Sequence, residues 1–522
     1  MRKQLLYICI TLITIFNINA QIAIIKDINF GNGDANPNQL FSFNGKLYFT
    51  ATYQLARSAL YTTDGTETGT EVVYDFVDGD YSGFSQPIIF NNDMYFRAVA
   101  KAGGQLIKTD GTNFSVVKQI FPVFGADVNG FIVFDNSLFF SATESFSARQ
   151  RLYKTDGTEA GTVKVKDVQA GAEKIEYNNM LYFSGENSEN GNELWKSDGT
   201  EAGTVLVKDI NSGASDSNPE KFIILNDMLL FIAKTAENGS ELWKTDGTEE
   251  GTILIKDIRS GTSNSSPKEF TIYKNRVYFQ ANSGTGNKLW VSDGTESGTN
   301  LFKDLELNNT TFSSIVFKDK LFFAAKDGDF GYELWCSDGT PENTTMLKDI
   351  SPGDRNDHGN PNDFFIFNNE LFFEAYTDEL GKELYKRDGT EAGTVLIADL
   401  HAGNLNADPQ RFADHNSILF FSADGGETGR ELFKYETATA TATSNSLKDV
   451  LIYTTDYTIN IKGLVTQKST LKIYDILGKE QMKINFTSNG NAKIGINLKS
   501  GIYIVNIKTE NGSTISKKVI IK

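Results

Sequence analysis

The chain has 522 residues with 50 Lys and Arg against 67 Asp and Glu, and 39% of its residues are hydrophobic. That length exceeds a single ordinary core, so several domains or a repeat array is expected. Two cysteines exclude a disulfide-built scaffold, and the acidic excess argues against nucleic-acid or anionic-membrane partners.

The first twenty residues read as a secretory signal peptide: a basic start at Arg2 and Lys3, an apolar run from Leu5 to Phe16, then Asn17 to Ala20. Cleavage is expected between Ala20 and Gln21. The run is too short to span a bilayer, which takes roughly 20 apolar residues, and no other segment approaches that length. Cys9 leaves with the signal, and Cys336 is then the one mature cysteine. It replaces Lys, Val or Thr of other repeats and is read as an ordinary strand residue.

Residues 21–436 are governed by internal repetition. The sharpest element is RLYKTDGT at 151–158, ELWKSDGT at 193–200, ELWKTDGT at 241–248, ELWCSDGT at 333–340 and ELYKRDGT at 383–390, with a worn copy, ELFKYETA, at 431–438. The Asp positions are 64, 110, 156, 198, 246, 293, 338 and 388, followed by Glu436, in steps of 42 to 50 residues. Each period holds four short strands, a to d. In the unit ending at Ile258 they are expected at 221–225, 228–233, 241–245 and 253–258. Asn or Asp pairs between a and b, as in FNNDMYF at 90–96, predict two-residue hairpins, because these residues tolerate positive φ. Asp64, Asp110, Asp156, Asp198, Asp246, Asp293, Asp338 and Asp388 open the c–d turns.

Both faces of strands a and b are apolar, so each small sheet must stack between two others, as blades of a β-propeller do. IAIIKDI at 22–28 matches a d strand and has no a, b or c before it; residues 410–436 supply a, b and c with no d after. Joining them gives nine blades with the first strand closing the last, beyond the common range of about four to eight. The chain resembles the secreted bacterial ELWxxDGT-repeat proteins over residues 22–438, a likeness that implies little about activity.

Residues 437–446 are a Thr/Ala linker. Residues 447–522 alternate in period two, predicting a small Ig-like β-sandwich of about seven strands. With 12 Lys and 5 acidic residues, the stretch from 445 carries +7, against −26 for the part between it and the signal peptide. LKIYDILGKE at 471–480, LKSGIYIVNI at 498–507 and KKVIIK at 517–522 are similar to the C-terminal sorting domain of the type IX secretion system of Bacteroidota, although the Tyr-Pro-Asn-Pro opening is missing. The resemblance implies contact with that secretion machinery, transfer across the outer membrane, and a product released or anchored at the cell surface. The matching positions are Gly501, Tyr503, Lys517 and Lys518.

Catalytic motifs are missing: there is no GxSxG, HExxH, P-loop or Cys/His cluster. Asp-Gly-Thr triplets and the pairs Asp327/Asp329 and Asp354/Asp357 are the candidates for calcium, but each offers too few oxygens for a site that takes about six or seven. Of the three His, His358 and His401 fall in equivalent d–a loops, and His415 lies in a strand. Trp195, Trp243, Trp290 and Trp335 are expected to pack between sheets. The leading reading is an exported module that binds protein or glycan without cofactor or catalysis. The alternative is a secreted enzyme acting on polysaccharide through a carboxylate pair at the propeller funnel.

Overall fold

The computed structural model describes residues 21–437 and 451–521, apart from short gaps at 55–56, 77–80, 101–102, 123, 146–148, 309–311, 329, 353–357, 390–392, 456–457, 476–478 and 510–513. The readings that rest on Cys9, Ala20, Asp329, Asp354 and Asp357 lie outside the described residues, as does the linker beyond 437. The described chain is all-β, and none of its elements is a helix able to cross a membrane. It divides into two compact units, Ile22–Tyr435 and a second one that includes Glu436–Lys522.

The first unit is built of four-stranded antiparallel sets. The first uses Asn38–Phe43, Lys46–Tyr53, Arg57–Thr63 and Glu71–Asp75, hydrogen-bonded in that order. In the fifth, the strands are Glu220–Leu225, Met228–Thr235, Gly239–Thr245 and Ile253–Lys256. The third and fourth sets fuse into one seven-stranded sheet, because Val163–Tyr177 serves as strand d of one and strand a of the next. In the ninth set, Gln410–His415, Ile418–Asp424 and Arg430–Glu436 are joined by Gln21–Lys26, which pairs with Arg430–Glu436.

Asn44 and Gly45 (φ 47° and 72°) and Asn91 and Asn92 (48° and 65°) form a–b turns with both central residues left-handed, as type I′ hairpins need. Strand b is buried along its length, as at Leu229–Ala233, because neighbouring sets cover both faces. Consecutive sets share cores. Phe43, Tyr48 and Leu60 pack with Met94, Phe96 and Ile107; Leu225, Leu230 and Leu242 pack with Val277, Phe279 and Trp290. The same kind of core joins the ninth set to the first, through Ile25, Phe420 and Leu432 against Leu47, Phe49 and Tyr61. A fully buried Phe or Leu contributes on the order of 2 kcal/mol, so these interfaces are the main source of stability.

The second unit holds five strands, Leu451–Thr455, Thr458–Asp475, Glu480–Gly495, Gly501–Thr509 and Thr514–Ile521, in one sheet. The count is five strands where about seven were expected. Two of the strands run for 18 and 16 residues, with register breaks around Leu464 and Gln467, and so do the work of four. Ile459 and Ile461 on one side of that break share a buried core with Leu471, Ile473, Val505 and Ile507 on the other.

Candidate functional site

The Asp-Gly-Thr turns are closed hydrogen-bond systems. In the fourth set Asp198 Oδ1 accepts from the Thr200 amide (2.8 Å) and hydroxyl (2.7 Å). Thr200 Oγ1 accepts from the Gly203 amide (2.9 Å), and the Thr200 carbonyl accepts from the Thr204 hydroxyl (2.6 Å). Asp64, Asp156, Asp246 and Asp293 repeat the pattern. Asp338 bonds Thr340 and Asn343, and Asp110 bonds the Thr112 and Asn113 amides. These donors hold the carboxyls of all seven below the usual range. Asp388 opens the eighth turn, next to Gly389 at φ 92°. Asp327 offers its carbonyl to the Phe330 amide. Among the described residues, no three His, Cys, Asp or Glu are placed to hold a metal.

In several repeats two lysines tie one set to the next. Lys154, Lys196 and Lys244, in strand c, donate to the carbonyls of Gly199, Gly247 and Gly294 in the following turn at 2.8–2.9 Å. Lys118, Lys166 and Lys256, in or near strand d, donate to the carbonyls of Thr162, Thr204 and Thr299. From the ninth set, Lys434 reaches Gly65 (2.9 Å) and Lys26 reaches Thr70 (2.8 Å), both in the first. Cys336 stands at a strand-c lysine position, buried and free; burial pushes its thiol up, away from nucleophilic use.

The Glu of the motif was not singled out from sequence. Glu193 is fully buried and gathers the amides of Ile210 (2.8 Å) and Ser217 (3.1 Å) and the Ser217 hydroxyl (2.6 Å), which pins the d–a loop. Glu241 holds Ile258 and Ser265 in the same way, and Glu333 holds Ile350 and Gly359. A Glu recurring about 17 residues ahead of a buried Ile or Leu was the available signal. The tryptophans are 4–7% exposed and lie in the inter-set cores. His401 and His358 do not converge: His358 Nδ1 accepts from the Tyr332 amide, while His401 faces Asp424 at 3.5 Å. His415 bridges the ninth set to Ser42 (3.0 Å) and the Gly45 carbonyl (3.1 Å) of the first.

What differs among repeats gathers on strand a. A bulge near its start puts Gln39, Gln86, Gly130, Lys221, Glu269, Asp363 and Arg411 at φ 52–66°. For a non-glycine residue that conformation costs on the order of 1 kcal/mol, yet it recurs with different side chains. The bulge frees backbone amides that a neighbouring set catches: Gln86 Oε1 takes the Gly130 amide (2.8 Å), and Glu173 takes those of Lys221 and Phe222 (both 2.9 Å). Lys174 donates to the Gly130 and Gly171 carbonyls and to Ser141 Oγ, while burial pushes its ammonium down to about 7. Three residues further along strand a, a second row exposes Ile89, Val133, Ile224, Ile272 and Ile366 by 37–47%. Ser42, Glu176, Val316 and Asp414 occupy the same place in the other sets.

A charge cluster lies in the eighth set (Asn362–Phe367, Glu370–Thr377, Gly381–Arg387 and Thr394–Ala398) and the loop before the ninth. Glu374, 6% exposed, meets Lys382 at 3.3 Å, and Lys382 also meets Asp408 at 3.1 Å. Burial pushes the Glu374 carboxyl up to about 7 and raises Asp363, against the pull of Lys382. In the second unit Gly501 opens a strand and Tyr503 donates to the Lys499 carbonyl (2.9 Å); Lys517 and Lys518 are exposed.

A family described as a domain of unknown function (DUF8694) matches residues 437–521. No curated protein matches the chain. Solved structures similar to it include a puromycin-hydrolyzing peptidase of Mycobacterium tuberculosis, at 11% identity and a TM-score of 0.37 over 76% of this chain and 60% of that one. A prolyl endopeptidase structure aligns at 12% identity and 0.36 over 74% and 54%, and the tricorn protease at 12% and 0.26 over 93% and 44%. The chain thus spans about three fifths or less of each of these proteins.

Proposed function

We propose that the nine sets close into a single β-propeller, exported from the cell, that serves as a binding or scaffold module for a protein or glycan. Three contacts support closure: Gln21–Lys26 completes the ninth set, that set shares a core with the first, and Lys434 and Lys26 repeat the lysine ties seen between other sets. In such a ring both rows on strand a face the central channel, polar at one level and mostly aliphatic at the other.

One observation carries the binding reading. The residues that repeat are used up in holding the fold, whereas the bulge row changes from set to set through Gln, Gly, Lys, Glu, Asp and Arg. A purely architectural bulge would favour Gly throughout. The test is a glycan array and a surface-protein pull-down with the full chain and with Lys221→Glu and Glu269→Lys. Loss of a bound ligand in these variants supports the reading; equal binding by all three removes it. The polysaccharide-cleaving alternative has less behind it, since Glu374 is already engaged by Lys382 and Asp408 shares that lysine.

For export, the signal-like start and the three sorting-type segments support passage through a type IX system, followed by release or surface anchoring. Deleting residues 447–522 should leave the protein inside the outer membrane. Undiminished appearance outside the cell would contradict this.

A further inference from the structure

The buried Glu of the motif has two kinds of environment. Ser217 and Ser265 each donate a hydroxyl to it, at 2.6 and 2.5 Å. Their amides bond the carbonyl of the residue before that Glu, Asn192 or Ser240. Ala407 and Ala35 make the same backbone bond, to Lys382 and Arg430, so they occupy the serine position facing Glu383 and Glu431. Neither can donate. Glu431 Oε1 accepts from the Asn29 amide (3.0 Å), while Oε2 is buried with no partner in full hydrogen-bond geometry. Asp27 Oδ1, at the end of the closing strand, is also buried and unpartnered.

Burial pushes Glu431 up to about 8 and Glu383 up to about 7, with the Asn29 and Ile28 amides opposing the rise at Glu431 and Asp27 and Asp34 adding to it. Tyr61, from the first set, is the other ionisable group biased by Glu431. Arg430 donates instead to the Ala407 and Asp408 carbonyls.

We propose that the seam between Gln21–Lys26 and the last repeat is a proton-sensitive clasp, in which Ala35 withholds the hydroxyl that would lessen the sensitivity of Glu431. Glu431 differs from its counterparts because the chain it holds comes from the opposite end of the repeat unit, 402 residues away. A charge on this carboxyl, with one oxygen unsolvated, releases the closing strand rather than an interior loop.

The elevated carboxyl favours the folded seam below the pKa of an unfolded glutamate, near 4.3. That advantage is lost as pH rises through about 8. Hydrogen exchange of residues 22–26 in the full chain, corrected for intrinsic rates, reads the opening at pH 5 and pH 9. The wild type should open roughly tenfold faster at pH 9, the worth of about one hydrogen bond to a charged group. Ala35→Ser should shrink that ratio to about threefold and Glu431→Gln should abolish it, while Ala407→Ser leaves residues 22–26 unchanged. Equal ratios in wild type, Ala35→Ser and Glu431→Gln would overturn the proposal, as would a wild-type ratio of one.

Discussion

Replacing Gly203 by Ala probes the Asp-Gly-Thr turn more sharply than removing the aspartate. Gly203 has no left-handed φ, so its backbone accepts alanine. The added Cβ, however, would overlap the Asp198 carboxyl group. The carboxylate must leave, and its two bonds to Thr200 go with it. At about 1 kcal/mol for each bond, plus local repacking, Gly203→Ala should cost about 2–3 kcal/mol. Asp198→Ala alone loses the same two bonds, about 2 kcal/mol. In the Asp198→Ala background the obstacle is gone, and Gly203→Ala should then cost less than about 0.5 kcal/mol. Urea unfolding followed by tryptophan fluorescence is a suitable assay, because all four Trp lie in the repeat unit. Additive costs in the double variant would refute this account of the turn.

The ties between sets give a second expectation: Lys434→Met, at the junction of the ninth and first sets, should destabilise by about 1 kcal/mol, and Lys154→Met, between the third and fourth, by the same amount. Unequal urea midpoints would mark that junction as different in kind. Stability should also peak in mildly acidic solution. The turn aspartates sit below their usual range, so their contribution is present above about pH 4 and lost as pH falls further. Glu333, Glu383 and Glu431 sit above theirs, at about 7, 7 and 8, so theirs is complete below about pH 4.3 and fades as pH climbs through those values. A melting temperature that rises steadily from pH 5 to pH 9 would contradict those assignments. Chelators should leave the melting temperature unchanged, because the turn carboxylates are satisfied by Thr and Asn donors; a calcium-dependent shift of several degrees would reopen the metal reading.

Much of the first unit was legible because its signals are local. The expected strand at 228–233 is observed as Met228–Thr235, and the Asn-rich a–b turns have the left-handed residues their composition demands. Strand d of the fifth set stops at Lys256, two residues early, because Asp257 turns its carboxylate onto the Gly261 amide. The strand shared by the third and fourth sets was not legible: QAGAEK follows VKVKDV without the Asn-Pro or Ser-Pro loop that four other repeats insert. Nor was the Glu anchor: most of its partners are backbone amides, and its spacing of 17 residues to a buried Ile was the one trace it left in the sequence. The bulge row was hidden for a related reason. Apart from Gly130 and Asp363, its left-handed φ falls on Gln, Lys, Glu and Arg, which carry no turn signal, and only the register shift reveals it.

Closure of the nine sets is the claim on which the binding reading depends. Electron-microscopic averages of the full chain, viewed along the ring axis, test it most directly. Closure predicts a ring of nine blades around an open centre, with no gap between the blade containing Gln410–Glu436 and the first. An open arc, or a closed ring with a different number of blades, would contradict it.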